Sequence, residues 1–161
     1  MRDIDNMLKS TLTDLGFVLK NTSWYRLTYD FIHVLNFQKS QFSNKYYLNI
    51  GIDYNINHIT SFPSKFRFLP EYKFPVRLRA EAFSFSQNLL DAFDYDNNYT
   101  ESQRFTSVVA VVDYCVSFLD SISTMGKFAA TLQLPDNPLS KGLITADFKR
   151  KLSQCAECVR P

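Results

Sequence analysis

The most informative pattern in the chain is a strict alternation of apolar and polar positions near its first third. Tyr46, Leu48, Ile50 and Ile52 fall on one side, and Tyr47, Asn49, Gly51 and Asp53 on the other. Successive side chains leave a strand on opposite faces, so a period of two predicts a half-buried strand. The preceding segment, from Phe31 to Ser40, is its antiparallel partner. The five-residue link Gln41–Lys45 has hairpin length. Past Thr100 the period becomes helical. Phe105, Val108, Val109, Val112, Cys115, Val116, Leu119 and Ile122 form one stripe, the face expected to cover the sheet. Thr100, with Gln103 three positions on, has the spacing of a capping box.

The remaining elements follow from weaker signals. Asp3 or Asp5 can cap an opening helix whose apolar positions are Ile4, Leu8, Leu12 and Leu15, with Gly16 as its stop. Short extended pieces are expected at Phe17–Lys20 and Ser23–Tyr29 around an Asn21-Thr22 turn. With the hairpin they make a meander of about four strands. The aromatic, proline-containing stretch Asn55–Pro75 reads as an ordered excursion with some extended pairing. Val76, Leu78, Ala80 and Ala82 alternate with Arg77, Arg79 and Glu81, which predicts a further strand over Pro75–Ala82. A helical pattern runs from Ser86 through Leu89, Leu90 and Phe93, and the acidic break Asp94–Tyr99 follows. Two more helices are expected at Thr124–Leu132 and within Leu139–Val159, on either side of the Pro135–Pro138 turn. The fold class is α+β: an antiparallel meander sheet of about 4–6 strands, packed on one face by helices, with a helical C-terminal half.

Composition narrows this further. The 161 residues, 45% of them apolar, suit a single domain (1–161) whose core needs neither metal nor disulfide. Fifteen Phe and nine Tyr are available for core or interface. A net charge of +2 is too mild to imply nucleic-acid binding. Three cysteines, an odd number, argue against a disulfide framework. The opening MRDIDNML starts an amphipathic pattern at once and no later apolar run reaches bilayer length, so no signal peptide or membrane contact is expected, and the expected address is cytoplasmic.

Candidate chemistry is sparse. His33, beside Phe31 and Leu35, falls on the core face and reads as a packed, hydrogen-bonded histidine; His58 lies in a polar loop. Cys155 and Cys158 have half-site spacing, but a zinc site needs further ligands and a redox motif needs a strand before it, so they read as incidental thiols. Gly-rich phosphate loops, nucleophile elbows and HExxH helices do not occur in the sequence. No catalytic residue, metal or cofactor is expected.

Two polar groups remain. Gln38 and Asn49 share the polar sheet face with Arg77 and Arg79, whose forked donors suit a carboxylate or phosphate if the strands are neighbours. A solvated outer face is the plainer reading of the same residues. The segment Asp91, Asp94, Tyr95, Asp96, Tyr99 and Glu101 contains no basic residue. Acidic groups around tyrosines suit a basic protein surface; a solvated loop between helices is the plainer reading.

Several features in order resemble a bacterial family known only as domain of unknown function 4304. They are Leu15-Gly16-Phe17, Trp24-Tyr25-Arg26, Asn36-Phe37-Gln38-Lys39-Ser40, Tyr47-Leu48-Asn49-Ile50-Gly51, Arg77-Leu78-Arg79, and a helix carrying Tyr114 and Phe118-Leu119. The resemblance spans roughly residues 1–125 and implies an α+β domain with an antiparallel sheet and no catalytic residues to carry over. It also implies a setting, since such small proteins are often encoded beside secreted toxins and act as immunity proteins. The leading expectation is therefore a non-enzymatic immunity protein that occludes the active site of a cognate antibacterial toxin. The mild positive charge runs against the commonest case, an acidic inhibitor of a basic nuclease. The alternatives are a small anionic-ligand-binding domain or unrecognised enzyme using the polar sheet face, and a scaffold module for a cellular protein.

Overall fold

A computed structural model describes residues 3–157. The opening helix α1 (Asp3–Asp14) ends in a left-handed Gly16 (φ 82°). The Phe17 N–H bonds to Leu12 O at 2.8 Å and that of Gly16 to Thr13 O at 2.9 Å, closing the last turn. The expected acidic cap takes another form. Asp5 lies inside the helix, buried, and accepts a 3.0 Å bond from the indole Nε1 of Trp24, which ties α1 to the sheet.

The sheet is a meander among the described residues. Strands β1 (Val18–Lys20), β2 (Ser23–Leu27), β3 (Phe31–Lys39), β4 (Tyr46–Tyr54), β5 (Val76–Arg79) and β6 (Leu143–Ile144) lie side by side in sequence order, all antiparallel. The β3–β4 hairpin pairs Phe31 with Tyr54 through to Lys39 with Tyr46, which sets the alternating apolar positions of both strands on one face. The expected link Gln41–Lys45 is one residue out, since Tyr46 pairs with Lys39 and not with Ser40. The strand expected over Pro75–Ala82 is shorter. Pairing ends at Arg79, and Ala80–Phe83 coils into a 3₁₀ turn that ends at a left-handed Ser84. Ala80 and Ala82 nonetheless stay buried, so the alternation marks burial rather than extended backbone.

Helices cover the inner face. After a short α2 (Gln87–Asp91), the long α3 (Glu101–Ser121) starts with the expected capping box. Its buried stripe is Arg104, Val108, Val111, Val112, Cys115, Val116 and Leu119, and Phe105, expected on that stripe, is 41% exposed. Helices α4 (Met125–Leu132) and α5 (Ala146–Glu157) close the far end. There the Tyr54 ring stacks on Phe148 with centroids 4.2 Å apart. The helices α3 and α4 with α5 make the C-terminal half mainly helical. No single helix among the described residues is long and apolar enough to cross a membrane.

The outer face differs from the expected polar surface. The stretch between β4 and β5 pairs with no strand and lies over the sheet centre, where Phe62, Phe68, Leu69 and Phe74 pack on Tyr25, Ile32 and Val34. Asn55 pins its start, donating to Thr28 O (2.8 Å) and Ile59 O (2.9 Å), and Tyr25 Oη donates to Leu69 O at 2.8 Å. Gly51 makes room for this lid: a Cβ there would lie 2.5 Å from Val34 Cγ1 and 2.9 Å from Phe74 Cγ. Burying a Val or Phe side chain contributes roughly 1.5–3 kcal/mol, so the lid forms a second small core.

Candidate functional site

The acidic segment folds around a cation that the sequence reading did not consider. Arg104, 6% exposed, enters from the first turn of α3 and donates to Ala92 O (2.7 Å), Asp94 O (2.6 Å) and Asn97 Oδ1 (3.0 Å). Its guanidinium lies 4.2 Å from the centre of the Tyr95 ring and 5.8 Å from that of Tyr99. Desolvation makes such charge-assisted bonds and cation–π contacts strong. The tyrosines are therefore partly buried clamps rather than free anchors. Tyr99 Oη donates to Asn88 O at 2.8 Å, and burial pushes the Tyr95 phenol above its ordinary pKa despite the pull of Arg104. The signal for Arg104 was present in the sequence, because position 104 lies one helical turn before Val108 on the apolar stripe of α3.

The carboxylates are fixed to different degrees. Asp91 Oδ1 accepts from Gln87 Nε2 at 2.6 Å, Asp94 Oδ1 from the Asp96 N–H at 3.0 Å, and Asp96 Oδ2 from the Asn44 N–H at 3.1 Å. Glu101 is exposed and makes no ion pair among the described residues. Beside it, the starts of α1 and α3 enclose a groove of about 550 Å³. Met7, Tyr95 and Phe105 give it apolar surface, and Asp3, Glu101, Ser102 and the hydrogen-bonded Arg104 line it as well. Of the expected contact residues, Tyr95 and Glu101 thus share a concavity, and Asp91, Asp94, Asp96 and Tyr99 shape the loop beside it.

The second group comes together as well. Asn49 pairs with Asn36 across β3–β4 and with Arg79 across β4–β5, and its Nδ2 donates to Gln38 Oε1 at 2.9 Å. Gln38, Asn49, Arg77 and Arg79 line one cavity of about 580 Å³ at the β5 margin of the outer face. Lys141, brought in by the turn Pro138–Lys141, also lines it and was not foreseen. Its approach depends on Gly142, where a Cβ would lie 2.2 Å from Leu78 Cδ2.

His33 is fully buried, as its place on the core face implies. Arg26 Nη2 lies 3.3 Å from His33 Nδ1; because a guanidinium can only donate, Nδ1 accepts and the ring proton sits on Nε2, which has no partner. Burial first, and then the Arg26 charge, lower the His33 pKa to about 3. The ring is therefore neutral and held away from solvent, and it serves the core. Arg26 in turn donates to Asp120 Oδ1 at 2.7 Å. His58 is exposed and stacks on Tyr29 with centroids 4.3 Å apart. Burial pushes the Cys115 thiol up to about 12, so it is inert near neutral pH. The Cys155 side chain and Cys158 lie outside the described residues. Among the described residues no three His, Cys, Asp or Glu side chains gather as metal ligands.

A six-stranded antiparallel meander sheet covered on one face by helices fits the class of α+β domains. The chain belongs to the family described as Domain of unknown function (DUF4304), whose model matches residues 8–121. The match covers the sheet through β5 and all of α3, and α4, β6 and α5 lie beyond it. Neither the curated proteins nor the solved structures include a match to the chain.

Proposed function

We infer that this protein is a non-enzymatic immunity protein that binds a cognate secreted antibacterial toxin and occludes its active site. The observation that supports this most is the groove between the starts of α1 and α3, where Asp3 and Glu101 stand beside apolar side chains and the lining cation, Arg104, is already hydrogen-bonded to the loop. Its walls suit the aliphatic stem of a lysine or arginine, and Asp3 and Glu101 suit the charged tip. Asp96 and Asp94 extend the negative surface beside the groove and would speed the encounter with a basic partner. The loop is held by Arg104 before any partner arrives, so little ordering cost is left to binding. That the partner is a toxin rests on the genomic company such small proteins often keep.

Co-expression with the product of the neighbouring gene tests the reading. The two proteins should co-purify, and this chain should restore growth to cells expressing its partner. If they neither associate nor rescue growth, the reading is lost.

A further inference from the structure

The cavity at the β5 margin has the features of a ligand site, independent of the acidic groove. Three cations line it, Arg77, Arg79 and Lys141, against two carboxylates, Glu71 and Glu81, which leaves one positive charge in excess. None of the five forms an ion pair among the described residues. Arg77 uses Nη1 on Tyr72 O at 3.0 Å, but its Nε is buried with no partner. The Arg79 guanidinium has no hydrogen bond among the described residues and rests 5.3 Å from the centre of the Tyr47 ring. Among the described residues Lys141 Nζ reaches only the Ser84 hydroxyl, at 2.9 Å. A guanidinium left short of acceptors beside a cavity is under-satisfied, and a planar oxyanion matches its fork.

The rim adds a second requirement. Tyr72 is 61% exposed and Leu143 47% exposed, so flat apolar surface stands beside the cations. A volume of about 580 Å³ falls in the range of small-molecule sites. The carboxylates of Glu71 and Glu81 accept but cannot donate, and they suit an N–H group on the same ligand.

We propose that this cavity binds a small metabolite that carries an oxyanion, a flat ring and at least one N–H donor. The oxyanion, a carboxylate or phosphate, lies between Arg77 and Arg79, the ring lies against Tyr72, and the donor faces Glu71 or Glu81. A nucleoside monophosphate and an aromatic amino acid both meet this description, and they differ in the anion they carry.

Thermal melting and calorimetric titration of the full chain with AMP, L-tryptophan, adenosine and inorganic phosphate decide it. AMP or L-tryptophan should raise the melting temperature saturably, and which of them does so identifies the anion. Adenosine, which lacks the oxyanion, and phosphate, which lacks the ring, should bind at least about tenfold more weakly. Arg79→Ala and Tyr72→Ala change exposed side chains, fold normally, and should each weaken binding by about tenfold or more. Lys127→Ala, an exposed position on α4, should leave it unchanged. No saturable binding of either probe, equal binding of adenosine or phosphate, or full binding by both variants would overturn the proposal.

Discussion

Arg104 and Arg79 show how differently one fold can use a guanidinium. Arg104 is buried at the acidic joint, with three hydrogen bonds and two aromatic faces around it. Arg79 is exposed at the β5 margin, its guanidinium against one aromatic face and without a hydrogen bond among the described residues. The saturated cation is part of the scaffold, and it leaves the carboxylates around it to face outward. The unsaturated one is available to something outside the chain. An arginine's role is therefore read from what remains unpaired on it, since its charge alone is the same in both places.

The sharpest way to break this contrast is to remove the scaffold cation. Arg104→Ala strands the Ala92 and Asp94 carbonyls and should lower stability by about 3 kcal/mol in urea unfolding. Arg104→Lys should recover little of it, because an ammonium cannot span three acceptors in one plane. If Arg104→Ala melts like the wild type, the loop does not depend on the cation.

Acid titration probes the other buried arginine, Arg26, through its neighbour His33. The His33 pKa falls from 6.5 in the unfolded chain to about 3 in the folded one. Below 6.5 the unfolded state binds a proton that the folded state refuses. Stability present above that pH is therefore lost as pH drops toward 3, by about 1.4 kcal/mol per unit. His33→Leu should flatten this part of the pH dependence of unfolding; an unchanged slope would assign it to the carboxylates.

Gly51→Val tests the lid over the outer face. The added side chain meets Val34 and Phe74, and a loss of about 1–3 kcal/mol is expected from overpacking. Arg79→Ala should produce the smallest stability change, within about 0.5 kcal/mol, although it should weaken ligand binding at the β5 margin by about tenfold or more.

Much of this architecture was readable before any coordinates. Alternation gave the inner and outer faces of β4, the Thr100–Gln103 spacing gave the α3 cap, and Gly16 gave the α1 stop, while the hairpin link was one residue out. The lid over the outer face was not readable, because Phe62, Phe68 and Leu69 follow no period and reach Val34 only through tertiary packing. Strand β6, two residues long, leaves no periodic trace. The β5-margin residues were grouped correctly because three lie on adjacent strands with one parity. Lys141 was missed because it arrives from a distant turn. At the acidic joint the carboxylates were read without Arg104, since charge was counted along the segment and the cation lies just beyond its end.

The central claim is that this chain acts by meeting a basic partner at the joint of α1 and α3. Calorimetric titration of the neighbouring gene's product into the wild type and into an Asp3→Lys, Glu101→Lys double variant tests it most directly. Both substitutions fall in first helical turns and should cost under about 1 kcal/mol each in stability, so the variant stays folded. The account predicts a saturable complex with the wild type and at least about tenfold weaker binding by the variant. Equal affinity for both proteins, or no complex with either, would contradict it.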